Sequence, residues 1–362
     1  MTGGWQPSDV RVAAARRVGR GLLAALAILG VVELTLQVRA QLLTGQSAFT
    51  RLAGRGTYQT DPATGLRLLR PHAVIRGQRT TMHTNRYGLR GPDFSQRPAQ
   101  GERRVVLLGA STVMGTYAAD DAATSSVQLE RRLAATATKA RVINAGVAGL
   151  TVADQATLLQ RRVLDFEPDV LVWYPGLNDF TCRPRPARGS AAVRWQMPAV
   201  PNWLILPDLI TKNTTWLRAG GGPTSSLLEP AVDPALLERA LRAGIRMARA
   251  ARVRVELVTS ARNFNVRMGE REAARRAASA LDVRPCYSVT SLSMAASTYD
   301  ELLRRVARDE SVGLIEADRS LAANPAMFGD STHLSAAGEK VLADLIYQSI
   351  LANRDLGGHA GP

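Results

Sequence analysis

Apolar residues follow three different patterns along the chain. From Gly21 to Val32 they form an uncharged run, and beyond Glu33 the apolar character continues through Leu34, Leu36 and Val38. The stretch amounts to about 18 residues, just long enough to span a bilayer. Between residues 40 and 103 no period holds, and Asp61-Pro62, Arg70-Pro71 and Gly91-Pro92 mark turns. From Arg104 onward, short β-rich apolar runs recur at Val105–Leu108, Val142–Ile143, Val170–Tyr174, Val253–Val258 and Val312–Ile315. Between and after them the spacing predicts helices over Ala122–Thr136, Val152–Asp165, Pro234–Ala251, Ser297–Asp309 and Ser335–Asn353, the last capped by Ser335.

Strands alternating with helices imply a parallel sheet. The runs are nearly continuous rather than alternating, as expected of strands covered by helices on both faces. The expected class is therefore α/β, a three-layer α/β/α sandwich. The chain divides into a basic N-terminus (1–20), a transmembrane anchor or signal segment (21–39), a linker and accessory segment (40–103), a sandwich domain (104–353) and a flexible tail (354–362). An insert, 181–232, carries Trp195, Trp203 and Trp216 with Pro198, Pro201 and Pro207 around Leu204-Ile205-Leu206. An ordinary sub-helix on the sheet edge is the first expectation for it, and a lid or a lipid-facing patch the alternative.

Charge orients the apolar segment. Arg11, Arg16, Arg17 and Arg20 crowd its N-terminal side and Arg39 stands alone after it. The positive-inside tendency then leaves the N-terminus in the cytoplasm and everything downstream outside. No A-x-A site follows the run, which favours an uncleaved anchor over a cleaved signal or a buried soluble helix. Glu33, costly at depth, belongs near the outer interface.

Composition narrows the partners. A hydrophobic share of 46% supplies a core. The net charge of +15 comes from dispersed arginines, with Lys139, Lys212 and Lys340 the only lysines. Nucleic acid, which needs a basic stripe or an aromatic-lined groove, is not expected as a partner. Cys182 and Cys286 exclude a zinc ribbon or a CxxC redox motif and allow at most one disulfide, whose formation the sequence leaves open. His72, His83, His333 and His359 lack metal-ligand spacing, so neither metal nor cofactor is expected.

The candidate chemistry sits at strand ends. Asp330-Ser-Thr-His333 puts a carboxylate three residues before an imidazole, ahead of the last helix. A carboxylate bonded to one ring nitrogen fixes the tautomer and leaves the other free to take a proton. A helix cap and its neighbour is the structural alternative. The Val105–Leu108 run leads directly into Gly109-Ala-Ser111-Thr112, which places Ser111 at the carboxyl end of a strand, where open α/β sheets bind ligands. The next two runs end in Asn144-Ala-Gly146-Val-Ala-Gly149 and Gly176-Leu-Asn178-Asp179. Glycine N–H groups and an asparagine amide suit an oxyanion, because they donate without adding charge.

Taken in order, Ser111, Gly149, Asn178 and Asp330-x-x-His333 resemble the SGNH hydrolases, the GDSL esterase/lipase superfamily, over about residues 103–352. The resemblance implies a flavodoxin-like five-stranded parallel sheet. It also implies Ser111 as nucleophile, His333 as base, Asp330 as its orienting carboxylate, and an oxyanion hole of Ser111 N–H, Gly149 N–H and the Asn178 amide, with Gly146 a rival to Gly149. One departure is visible: Ala110 stands where the family's Gly-Asp-Ser opening has aspartate. Thr84-Asn85-Arg86-Tyr87-Gly88-Leu89-Arg90-Gly91 is similar to a segment of membrane-anchored bacterial members, where a structural role is expected of it. The function implied is ester hydrolysis through an acyl-enzyme, on acylated envelope carbohydrate or lipid outside the cytoplasm. O-acyl transfer by the same residues and a silent glycan-binding relative are the alternatives.

Overall fold

A computed structural model describes residues 7–44, 47–48, 50, 56–77, 80–136, 138–184, 204–207, 209–210, 228–322 and 324–352. In chain order the elements are helix α1 (Pro7–Thr44), strands β1 (Tyr58–Thr60), β2 (Arg67–Leu69), β3 (Val74–Arg76), β4 (Thr81–His83) and β5 (Arg103–Gly109), and helices α2 (Ser111–Met114) and α3 (Ser125–Ala134). There follow β6 (Ala140–Gly146), α4 (Val152–Leu158), β7 (Val170–Tyr174), β8 (Thr181–Pro184), β9 (Leu228–Ala231), α5 (Pro234–Ala250) and β10 (Arg254–Val258). The described chain closes with α6 (Glu270–Asp282), α7 (Val289–Asp309), β11 (Gly313–Ile315) and α8 (Ala336–Ala352), with short turns of helix between them.

Five parallel strands in the order β11-β10-β7-β5-β6 make the central sheet. Numbered within the sheet this is 2-1-3-4-5, the flavodoxin-like order. Alternate residues of each strand face opposite layers. Val106, Leu108, Ile143, Leu171 and Trp173 join one core, which α4, α5 and α7 cover. Val105, Leu107, Val142, Val170, Val172 and Tyr174 join the other, with α3 and α8. The three-layer α/β/α sandwich is thus as the hydrophobic pattern predicted. In α5, a Cβ at Gly244 would lie 2.4 Å from the Trp173 ring, so the helix approaches the sheet only because that residue is glycine.

Several boundaries differ from the sequence expectation. Residues 58–83 hold two antiparallel hairpins, β1–β2 and β3–β4, whose three-residue strands are too short to show alternation. Helix α7 begins at Val289 rather than Ser297, started by a reciprocal Ser288–Ser291 capping box. Helix α6 was not expected, because its buried stripe is Ala273, Ala277 and Ala280 with Leu281, a weak contrast with its polar face. Beyond Leu158 the helix from Val152 widens into a π turn and closes as a 3₁₀ turn at Phe166.

Cys182, on β8, and Cys286, in the turn before α7, form a disulfide with Cα atoms 5.8 Å apart. The bond ties the base of the insert to the helical layer. Trp195, Trp203 and Trp216 of the insert, and the tail 354–362, lie outside the described residues.

Met1–Gly56 together with Val193–Asn213 form one compact unit, and Thr57–Ala192 with Thr214–Pro362 the other. In the first, residues 16–43 of α1 have a mean hydropathy of 2.0 over their most apolar window and are 6% buried there, long and apolar enough to cross a membrane. The Glu33 carboxylate accepts the backbone N–H groups of Ile205 and Leu206, at 2.9 and 2.8 Å. In the second, the accessory residues from Thr57 pack with the sandwich.

Candidate active site

Strand β5 ends in a turn that only glycine permits. A Cβ at Gly109 would lie 2.4 Å from the Tyr174 carbonyl oxygen and 2.5 Å from Val113 Cγ2. Ala110 follows in a non-helical conformation with its side chain buried, and Ser111 opens α2. The Ser111 Oγ lies 2.7 Å from His333 Nε2, and His333 Nδ1 lies 2.8 Å from Asp330 Oδ2. Asp330 Oδ1 accepts the backbone N–H groups of Thr332 and His333, each at 2.9 Å. Burial alone would push the Asp330 carboxyl up. The bonds from His333 and the two backbone amides outweigh it and hold the group below the usual carboxylate range. The carboxylate therefore stays ionised and pins the ring.

Tyr117 contributes a neighbour that sequence reasoning did not find. Its ring centroid is 5.9 Å from that of His333, and a Cβ at Gly329 would lie 2.4 Å from the Tyr117 ring. Gly329 thus makes room for an aromatic wall beside the imidazole. A glycine immediately before Asp330 was the only sequence signal for it.

The two glycines after β6 have different surroundings. Gly146 is buried, its N–H donates to Asn144 Oδ1 at 3.0 Å, and a Cβ there would lie 2.2 Å from Met114 N. Gly149 is exposed in the left-handed region, φ +88°, with nothing within 4 Å of an added Cβ. The Val147 N–H donates to the Gly109 carbonyl at 3.1 Å, joining this loop to the turn before Ser111.

Asn178 Nδ2 donates to the Leu150 carbonyl at 3.1 Å, a bond that uses one of the two amide hydrogens. Beneath it the fully buried Gln155 amide donates to the carbonyls of Leu150 and Pro175, at 3.1 and 2.8 Å, and its Oε1 accepts from Trp173 Nε1 at 2.7 Å. One side chain thereby sets the spacing of both loops. Asp179 accepts the Val152 N–H at 3.1 Å. Burial raises its carboxyl to about 6, opposed by that bond and reinforced by Asp154.

Ser111, His333 and Asp330 are thus in hydrogen-bonded sequence, and Gly149 and Asn178 are joined to each other through Leu150. The profile of the GDSL-like lipase/acylhydrolase family matches residues 107–341, more than half of the chain. The chain belongs to this family. As a GDSL-like acylhydrolase it is a hydrolase of ester bonds.

Solved structures similar to this acylhydrolase are of low identity. A lipase/acylhydrolase from Enterococcus faecalis is 17% identical, with 71% of this chain and 99% of that one covered and a TM-score of 0.45. A GDSL-like lipase from Bacteroides thetaiotaomicron is 14% identical, with 72% and 93% covered and a TM-score of 0.44. An acetyl xylan esterase from Geobacillus stearothermophilus is 16% identical, with 68% and 94% covered and a TM-score of 0.44. No curated protein matches the chain. Among the described residues of the acylhydrolase, no group of three or more His, Cys, Asp or Glu is arranged to hold a metal ion.

Proposed function

We propose that Ser111 is the nucleophile of a serine acylhydrolase that works through an acyl-enzyme. The observation that carries this reading is the continuous Ser111 Oγ–His333 Nε2, His333 Nδ1–Asp330 Oδ2 relay at 2.7 and 2.8 Å. Ser111 Oγ attacks the ester carbonyl carbon while its proton passes to His333 Nε2, and Asp330 stabilises the imidazolium so formed. The negative oxygen of the tetrahedral intermediate takes hydrogen bonds from the N–H of Ser111, the N–H of Gly149 and the second amide hydrogen of Asn178. Collapse expels the alcohol, which leaves with the proton from His333. Water, deprotonated by the same nitrogen, then releases the acid and restores Ser111.

The ester belongs to an acylated carbohydrate or lipid of the cell envelope, reached from outside the cytoplasm with residues 21–39 anchored in the cytoplasmic membrane. Two features support that side of the membrane. Basic residues flank the N-terminal end of the apolar segment, and a Cys182–Cys286 disulfide persists in oxidising compartments and is rare in the cytosol.

The test is covalent labelling of the purified full-length protein with a fluorophosphonate, followed by product identification on a panel of acetylated glycans and acyl lipids. Label is expected on Ser111. Label on another residue, or none while esters are still hydrolysed, rejects the assignment.

A further inference from the structure

The Thr84–Gly91 segment has no part in the chemistry described so far, yet it delivers a cation to the back of the nucleophile turn. Asn85 Oδ1 accepts the N–H groups of Tyr87 and Leu89, at 3.0 and 3.2 Å. Gly88 sits in the left-handed region, where a Cβ would lie 2.2 Å from the Leu69 carbonyl oxygen. This tight turn presents Arg90, whose side chain is 1% exposed. Arg90 Nη1 donates to the carbonyls of Met114 and Gly115, at 3.0 and 2.6 Å. Its Nε donates to Asp121 Oδ1 at 2.8 Å, and Asp121 Oδ2 lies 2.8 Å from His83 Nδ1.

Those carbonyls end a helix that begins at Ser111 and is only four residues long. A helix so short makes little hydrogen bonding of its own, and its terminal carbonyls need outside donors. Thr116 supplies them for Ser111, whose carbonyl accepts its Oγ1 hydrogen at 2.9 Å. The Thr112 carbonyl accepts the Gly115 N–H at 3.1 Å and the Val113 carbonyl the Asn144 amide at 2.8 Å, and Arg90 supplies the donor for Met114 and Gly115. Gly115 at φ +76° makes this possible, since a Cβ there would lie 3.3 Å from Arg90 Nη1 and 3.4 Å from the buried Glu339 Oε1. Ala110, where the family has aspartate, provides no side-chain cap at the other end. At the C-terminal end, the side-chain bond to the Met114 carbonyl comes from Arg90, and Gly115 shares its carbonyl between Arg90 and the Ala118 N–H.

We propose that Arg90 is a positioning residue for ester hydrolysis: by closing the C-terminal end of the helix that starts at Ser111, it keeps the Ser111 hydroxyl aimed at His333. The role rests on Ser111 being the nucleophile. It makes the accessory segment part of the catalytic apparatus rather than a linker. A guanidinium is required because one planar group serves two carbonyls and a carboxylate at once, which a single ammonium does not match.

The experiment compares full-length wild type, Arg90→Ala, Arg90→Lys and Asp121→Asn on p-nitrophenyl acetate and in fluorophosphonate labelling. Displacing a reacting group by an ångström costs on the order of 100-fold. Arg90→Ala is therefore expected to lower kcat by roughly 100-fold at unchanged KM and to slow labelling equally. Added guanidinium should restore part of the rate in Arg90→Ala and none in Ser111→Ala, and Arg90→Lys should fall between wild type and Arg90→Ala. A folded Arg90→Ala enzyme with wild-type kcat, or one whose loss guanidinium does not relieve, overturns the proposal. Should Arg90→Ala fail to fold, Asp121→Asn decides, because it leaves the guanidinium in place but removes the charge that orients it. A kcat lowered at constant KM supports the role, and a wild-type kcat overturns it. Failure of wild type to label at Ser111 rejects the nucleophile assignment instead.

Discussion

Ser111 and His333 stand 222 positions apart in sequence and 2.7 Å apart in space, so the substitutions that test them are independent of local structure. Ser111→Ala is expected to abolish turnover of a short p-nitrophenyl ester, a loss on the order of a million-fold for a triad nucleophile. Undiminished turnover would remove Ser111 from the mechanism. Asn178→Ala should lower kcat by roughly 100- to 1,000-fold with the fold retained, and an unchanged kcat would take its amide out of the oxyanion site. Glu339 makes a stability prediction. Burial raises its carboxyl to about 7, against the bond from the Ser125 N–H and the attraction of Arg90, which is itself paired with Asp121. With the folded value above the ordinary 4.5, its contribution is full below 4.5 and is lost as pH rises through about 7. Thermal melting across that window should fall less steeply in Glu339→Gln than in wild type. Parallel curves would refute the assignment. Asp330, held low, has the opposite sign, and its contribution is lost as pH falls.

Among elements, legibility followed contrast. The five strands could be read because Val, Leu and Ile run almost unbroken where helices cover both faces, and Val170–Tyr174 is buried at every position. Helix α6 was hidden because alanine is a poor marker of a buried face, and the hairpins before residue 84 because three residues do not establish a period. The Thr84–Gly91 segment was legible as a motif but not as a contact, since its partner carbonyls belong to Met114 and Gly115. The Cys182–Cys286 link closes a loop of 104 residues. Replacing both cysteines by serine should cost about 4.7 kcal/mol on the chain-entropy account, read as a lower urea midpoint. Two thiols titrating in the native, unreduced protein would show that the bond does not form.

For the whole molecule, the apolar segment and its flanking charges argue the topology. Residues 16–43 are long and apolar enough to cross, and the arginines before them argue for an inside N-terminus. A reporter fused after Arg103 should therefore be active only outside the cytoplasm, and a cytoplasmic signal would reverse the topology. Glu33 of the same helix holds the backbone of Ile205 and Leu206, which belong to the helix's own compact unit.

Local periodicity, strand-end chemistry and the order of Ser111, Gly149, Asn178, Asp330 and His333 were determined by the sequence alone, because each resides in a few neighbouring residues. Tertiary structure decided what depends on distance between remote segments. It brought Cys182 to Cys286, Ser111 to His333, and set Arg90 against the end of the Ser111 helix. Such pairings are fixed by how separate elements pack, across 25 positions for Arg90 and Gly115 and 104 for the two cysteines, and no period or motif within one segment encodes that separation.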